Sequence, residues 1–344
     1  MKAVQYVTYG AGAEVREVER PSPGPGEVLL RVTAAGACHS DAFIMGMPAG
    51  PENPYKLPLT LGHEGAGVVE ELGSGVKNVE IGESVLVFGP QGCGRCHACA
   101  AGLENNCERF MDAPGIHHDG AMAEFMVVKD VRHLVPLGDL DPVSSASLTD
   151  AGLTPYHAIK PSVPRLTPGT TTVVIGVGGL GHVGVQILKS MTSTRIIALD
   201  VAEDKLAFAK ELGADEAFTS DASAVDKILE LTGGRGADAV FDFVGAQPTL
   251  DLAHQLVAVM GEIVIVGVAP GSIPVGYLTM KFDTSVRVAN WGTRAELIEV
   301  VELARRGAIN IHTQEFTLDE GPGIYELMHD GKLKGRAVIN PARG

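Results

Sequence analysis

A chain of 344 residues, 45% hydrophobic and 20% charged, is long enough for two hydrophobic cores and too apolar to stay disordered. Its formal net charge of -15 speaks against a nucleic-acid partner or an anionic membrane surface, both of which call for basic patches. The first residues lack a leader pattern, the most apolar run (173–188) is broken by glycines, and five cysteines suit a reducing compartment. A cytoplasmic protein without a membrane span is therefore expected.

In chain order, the first residues read as strands joined by turns, and Pro21-Ser22-Pro23-Gly24-Pro25-Gly26 is a rigid turn cluster ahead of a strand over 27–32. Cys38-His39-Ser40-Asp41 follows that strand. After a further loop, Gly62-His63-Glu64-Gly65-Ala66-Gly67 opens a second apolar run. A thiol, an imidazole and carboxylates thus gather at loop ends; taken singly, such residues are more often core than metal ligands. Cys93, Cys96, Cys99 and Cys107 then follow the pattern C-x2-C-x2-C-x7-C, with Gly92, Gly94 and Gly102 supplying turns. Four thiolates in so tight a lobe, residues 92–108, describe a closed tetrahedral zinc site that stabilises the lobe and offers substrate no position. Two disulfides are the alternative that the compartment disfavours. An iron–sulfur cluster is the other, and the distant Cys107 without a following proline fits it poorly. His97, His133 and His157 read as solvated or loop histidines, and His117 and His118 as loop residues ahead of the alternative that they line an active-site entrance.

Thr172-Val173-Val174-Ile175 is a β-branched strand leading into Gly176-Val177-Gly178-Gly179-Leu180-Gly181, which has the G-x-G-x-x-G spacing. The first glycine permits the turn, the second lets backbone approach a pyrophosphate, and the third lets the helix pack on the sheet. Val183, Ile187, Leu188 and Met191 form the apolar stripe of that helix, and a second strand over 195–199 ends at Asp200. A carboxylate there hydrogen-bonds an adenosine ribose and repels a 2′-phosphate, with Glu203 and Asp204 adding to the repulsion, so NAD is expected over NADP. Helix and strand alternate over 153–290, with a helix over 202–212 and strands over 239–244 and 263–266, the pattern of a doubly wound parallel sheet. Val244, Val266 and Val268 sit at its strand ends, lining the nicotinamide or simply closing strands. Beyond an edge strand at Arg287 and Val288, the chain returns at 291–344 to the β-rich domain of residues 1–152. That return holds a helix around Leu297, Val300, Val301 and Ala304 and a last strand over 337–339.

The stretch Gly62-His63-Glu64-x-x-Gly67-x5-Gly73-x2-Val76 matches, position by position, the signature of the zinc-containing medium-chain alcohol dehydrogenases. The chain resembles that family over nearly its whole length. It looks most like the bacterial NAD-dependent secondary-alcohol dehydrogenases, in stretches such as Leu148-Thr149-Asp150-Ala151-Gly152-Leu153-Thr154-Pro155-Tyr156-His157. The resemblance implies an α/β protein with a GroES-like catalytic domain and a Rossmann coenzyme domain. It implies a catalytic zinc on Cys38, His63 and Asp150, with a fourth position for water or substrate, and a structural zinc on the four cysteines: two zinc ions per subunit. Asp150 stands where some relatives carry a cysteine, so the site has a harder oxygen ligand. Glu64 becomes an acid beside the zinc or an occasional fourth ligand. His39 joins the cofactor-binding residues, and Arg336 contacts the cofactor pyrophosphate or is a solvated surface arginine.

The implied chemistry is reversible oxidation of secondary alcohols to ketones, in which zinc lowers the alcohol pKa, hydride passes to NAD, and Ser40 carries the proton. Relatives place a histidine three residues after that hydroxyl; here stands Phe43, so the relay ends on Asp41 or water. Phe43, Tyr55 and Trp291 are candidates for an apolar substrate pocket, or core. The edge strand at Arg287 implies a homodimer or homotetramer. A zinc dehydrogenase for primary alcohols or polyols shares every motif, and a non-catalytic cofactor-binding protein is the remaining reading.

Overall fold

A computed structural model describes residues 1–50 and 53–343. The chain divides into two compact units, one of Met1–Leu153, Gly292–Arg305 and Ile311–Gly344, the other of Thr154–Trp291 and Arg306–Asn310. The first begins with β1 (Lys2–Tyr6), β2 (Glu14–Glu17), β3 (Val28–Ala37), α1 (His39–Gly46), β4 (Leu59–Thr60), β5 (Glu64–Leu72) and β6 (Ser84–Val87). It continues through α2 (His97–Ala100), β7 (Phe125–Val128), β8 (Leu134–Pro136) and α3 (Pro142–Ser145), after which α4 (Leu153–Ile159) crosses the boundary. β3 is the spine of this unit. Its sequence is apolar and small, it is buried along most of its length, and it pairs antiparallel with β5 throughout. On its other edge β7 pairs with residues 28–31 and, past the end of that pairing, a strand from the far end of the chain takes over.

The second unit alternates β9 (Thr171–Ile175), α5 (Gly181–Met191), β10 (Arg195–Asp200), α6 (Glu203–Glu211), β11 (Glu216–Thr219), α7 (Ser223–Leu231), β12 (Ala237–Asp242), α8 (Gln247–Leu256), β13 (Val257–Ile265) and β14 (Ser285–Val288). All its strand pairs are parallel, in the order β11-β10-β9-β12-β13-β14, which is the doubly wound Rossmann order. β9 is buried on both faces, as a central parallel strand must be. Val173, Ile175, Ile197, Leu199, Val240 and Ile263 share its core, each contributing roughly 1.5–3 kcal/mol by leaving water.

The return adds α9 (Arg294–Arg305), β15 (Thr313–Phe316), α10 (Ile324–His329) and β16 (Arg336–Ile339) to the first unit. Of the boundaries that differ from the sequence reading, two have a visible cause. The strand expected over 239–244 ends at Asp242, because the Asp242 carboxylate accepts the N–H groups of Val244 and Gly245 and turns the chain out of the ladder. Within the return, Arg306–Asn310 belongs to the second unit: the Gln186 side chain both donates to the Asn310 carbonyl and accepts its N–H. Among the described residues no helix is long and apolar enough to cross a membrane.

Candidate active site and metal centres

Three neighbouring strands converge on one cluster. On β3, Gly36 lies opposite Glu64 of β5, and Ala37 lies opposite Ala337 of β16. Cys38 leaves β3 as the N-cap of α1, His63 directly precedes β5, Arg336 opens β16, and Asp150 ends the 3-10 turn Ala146–Thr149. All four are buried. Asp150 Oδ2 lies 3.4 Å from Cys38 Sγ and 3.6 Å from His63 Nε2, and the three donor atoms fall within 4.8 Å of one another. Tetrahedral zinc bonds of ~2.0–2.3 Å set ligand atoms about 3.3–3.8 Å apart, so the spacing fits the three-ligand, open type of zinc site. Charge points the same way. Burial alone would keep His63 neutral, yet the Asp41 charge and the contacts to Asp150, Asp41 and Cys38 raise its pKa well above the usual value. The surroundings favour positive charge at this point, which a metal dication would supply.

Arg336 closes the cluster from β16. Its Nε donates to Glu64 Oε2 at 3.0 Å, and its Nη2 donates both to Glu64 Oε1 and, at 3.0 Å, to Asp150 Oδ2. Burial pushes the Glu64 carboxyl up, and the guanidinium pulls it back only in part. This geometry removes the reading of Arg336 as a solvated surface residue, since it is 3% exposed and doubly paired. It also shows Glu64 held bidentately by an arginine rather than joined to the three donors. Gly36 makes room for it: a Cβ there would lie 1.8 Å from Glu64 Oε2. Sequence reasoning passed over Gly36, because a glycine in a strand carries no sign of the carboxylate across from it.

Ser40 sits in the first turn of α1, its Oγ 3.5 Å from Cys38 Sγ. Asp41, one end suggested for the proton relay, is fully buried with its carboxylate already engaged: Oδ2 accepts the Cys38 N–H at 2.9 Å and Oδ1 lies 3.2 Å from His63 Nδ1. It orients the cluster from within. His39 is exposed on α1 and Phe43, on the same helix, is 55% exposed. Tyr55 is partly buried against the first unit's core with its ring near His117, which in turn packs edge-on to Phe110. Trp291 is buried, in the second unit, at φ 50°, a conformation rare for a bulky side chain.

In the lobe of four cysteines, all thiols are free, with Sγ separations of 4.0 Å for Cys93–Cys99 and 3.9 Å for Cys96–Cys107. Four Zn–S bonds of ~2.3 Å give edges of about 3.8 Å, so the donor set fits a closed zinc site. Burial pushes the Cys107 thiol up, but N–H groups of Cys93, Phe110 and Arg109 bring it down to about 6, a cage made for a thiolate. The chain wraps so closely that a Cβ at Gly92 would lie 2.6 Å from Cys99 Sγ. Glu104 takes the Gly92 N–H at 2.9 Å and faces His133 Nε2 at 3.6 Å. His133 is thus a buried residue, not a solvated one, and burial holds its pKa down at about 4.

The glycine turn of the second unit keeps the three separate roles. Gly176 adopts φ 86°, a Cβ at Gly181 would strike the Gly176 carbonyl at 1.8 Å, and a Cβ at Gly178 would meet nothing within 4 Å. That open face, at the start of α5 with Gly179 and Leu180, fits a pyrophosphate. Asp200, at the end of β10, accepts the Val177 N–H at 2.7 Å and the Ala202 N–H at 3.1 Å, so it braces the turn while retaining acceptor capacity. Val244, Val266 and Val268 follow β12 and β13 at the carboxyl edge, the first partly buried, the second buried and the third exposed.

Residues 24–139 match the model of the alcohol dehydrogenase GroES-like domain, and residues 179–306 match that of the zinc-binding dehydrogenase. An NAD-dependent alcohol dehydrogenase of Sulfurisphaera tokodaii is 33% identical over 353 residues, spanning 99% of this chain and 100% of that protein. The crystal structure of the alcohol dehydrogenase from the archaeon Aeropyrum pernix is similar at a TM-score of 0.92 and 36% identity, over 99% of this chain and 100% of that one. An acetophenone reductase from Geotrichum candidum, solved in complex with NAD, is similar at a TM-score of 0.83 and 29% identity, over 98% and 96%.

Proposed function

This chain belongs to the zinc-containing medium-chain alcohol dehydrogenases, among them relatives that are NAD-dependent by name, and we propose that it interconverts secondary alcohols and ketones with NAD and two zinc ions per subunit. The observation that carries the reading is the spacing of Cys38, His63 and Asp150 with the Ser40 hydroxyl beside them. Held by Cys38, His63 and Asp150, zinc would supply Lewis-acid polarisation of an alcohol oxygen, and NAD would supply the hydride acceptor. The remaining work falls to the protein. Ser40 Oγ accepts the alcohol proton and releases it toward the cofactor ribose and water, because Asp41 is engaged with Cys38 and His63. Glu64 and Arg336 keep a paired, buried acid next to the ligands, and Glu64 would serve as an occasional fourth ligand only by leaving Arg336. Phe43 in place of a polar relay residue suits an apolar substrate, and the acetophenone reductase neighbour acts, by its name, on a ketone. Tyr55 and Trp291 remain pocket candidates with it, and His39 and Arg336 candidates for contact with the cofactor.

The four-cysteine lobe is assigned the second, structural zinc. NAD is assigned to the turn Gly176, Gly178, Gly179, Leu180 and Gly181, with Asp200 on the ribose and Val244, Val266 and Val268 toward the nicotinamide. Asp200→Ala is expected to lower the NAD to NADP ratio of kcat/KM by about 10- to 100-fold, the worth of one charge-assisted hydrogen bond. An unchanged ratio would place the selectivity elsewhere. The free edge of β14, with exposed Val275, Tyr277, Leu278 and Phe282 nearby, supports a homodimer or a dimer of dimers paired along that edge. Reduced cysteines suit a cytoplasmic enzyme.

The test is the initial rate of NADH formation with a medium-chain secondary alcohol and with its primary isomer, before and after chelation, on protein whose zinc content has been measured. The expected result is two zinc ions per chain and faster, chelator-sensitive turnover of the secondary alcohol. A faster primary isomer would leave the metal chemistry standing and remove the substrate assignment. With zinc and NADH bound, turnover of neither would move the protein to a binding role.

A further inference from the structure

The Asp41 carboxylate joins two metal-ligand candidates: one oxygen takes the backbone N–H of Cys38, and the other faces the ring nitrogen of His63 opposite the one that faces Asp150. Its third contact arrives from the other end of the sequence. Tyr325, on α10, donates its hydroxyl to Asp41 Oδ2 at 3.3 Å, and the same hydroxyl lies 3.4 Å from Met122 Sδ. α10 packs against α1, the helix that Cys38 caps, so the phenol reaches Asp41 from outside the three converging strands. Burial, and then the charges of Asp41 and Cys38, push the Tyr325 pKa well above its ordinary value, which keeps the hydroxyl a donor. The family signature of glycines, cysteines and His63 contains no sign of this residue.

A carboxylate that binds one ligand's backbone and faces another's ring is only as well placed as its own contacts. In a dry site, losing a donor leaves a lone pair unsatisfied and the group free to reorient. Resting on the zinc assignment to Cys38, His63 and Asp150, we propose that Tyr325 is a positioning residue for that zinc, holding Cys38 and His63 in ligating geometry through Asp41. The hydroxyl does this, and the ring does not.

Tyr325→Phe keeps the ring and removes only the donor. Zinc release into an excess of chelator is followed in wild type, Tyr325→Phe, Asp41→Asn and the double variant. The phase belonging to the catalytic zinc is identified as the one missing from Cys38→Ser. Tyr325→Phe is expected to speed that phase by about tenfold, the usual scale for a group supporting a metal ligand from outside, while the phase of the four-cysteine zinc and the Tm stay at wild-type values. In the Asp41→Asn background the same change should add nothing. A release rate equal to wild type overturns the proposal. So does an effect that adds in full to Asp41→Asn, or one accompanied by faster loss of both zincs and a lowered Tm, which would mark a packing role. Wild type lacking the catalytic phase altogether would sink the zinc assignment itself, an outcome separate from any difference between variants.

Discussion

Cys38→Ser is expected to cut turnover by on the order of a thousandfold or more while NADH binding, followed by fluorescence, survives. Cys38 supplies the only sulfur of the cluster, and a serine hydroxyl is a far poorer zinc ligand than a cysteine sulfur, so the ligand is lost rather than softened. Several kcal/mol of charge stabilisation at the alcohol oxygen goes with it, and each ~1.4 kcal/mol is tenfold in rate. The substitution has a built-in control. Cys38 is the N-cap of α1, and serine is a better N-cap than most residues, so the helix that positions Ser40 and Asp41 does not weaken. The glycine turn belongs to the other unit. Zinc content should fall from two per chain to one. Retained turnover would remove Cys38 from the metal.

What was legible in the sequence is what is local in the chain. The G-x-G-x-x-G turn needs three glycines within six positions, and each has the steric role its place implies. The four cysteines likewise declare themselves within fifteen residues, and the structure gathers their sulfurs. The site around His63 is different, since its parts come together only through contacts between elements far apart in the chain. Arg336 is 272 positions from Glu64, and Tyr325 is 284 positions from Asp41. The sequence offered Arg336 only through a family resemblance, with a role on the cofactor, and offered Tyr325 not at all. Nothing in the local pattern of β16 or α10 says that they border β3 and α1. Asp242 shows the same limit on a smaller scale: its hydrophobic neighbours read as strand to residue 244, whereas the carboxylate, by taking two N–H groups, stops the strand earlier.

The two roles of Arg336 predict different phenotypes for Arg336→Met, a change that keeps length and burial but deletes the charge. If the guanidinium chiefly serves a cofactor phosphate, the zinc-loaded protein without NAD should melt as wild type does, with only the KM for NAD raised. The structure leads to another expectation. Glu64 would be left buried with no cationic partner of its own, and breaking a buried pair from one side costs roughly 3–5 kcal/mol. At 2–4 °C per kcal/mol the Tm should fall by on the order of 10 °C, read by calorimetry on the zinc-loaded protein without NAD. The loss should also depend on pH. Burial already raises the Glu64 pKa, and removing Arg336 removes the largest influence that lowers it. A carboxyl whose pKa is raised by folding favours the folded state while protonated and loses that contribution as pH rises through the folded value. The deficit should therefore be smaller at pH 5 than at pH 8. Adding Glu64→Gln removes the stranded charge and should recover most of the Tm at both pH values, because replacing a buried pair as a whole is close to neutral where breaking it is not. A double variant as unstable as the single one would mean that Arg336 stabilises this unit through Asp150 alone.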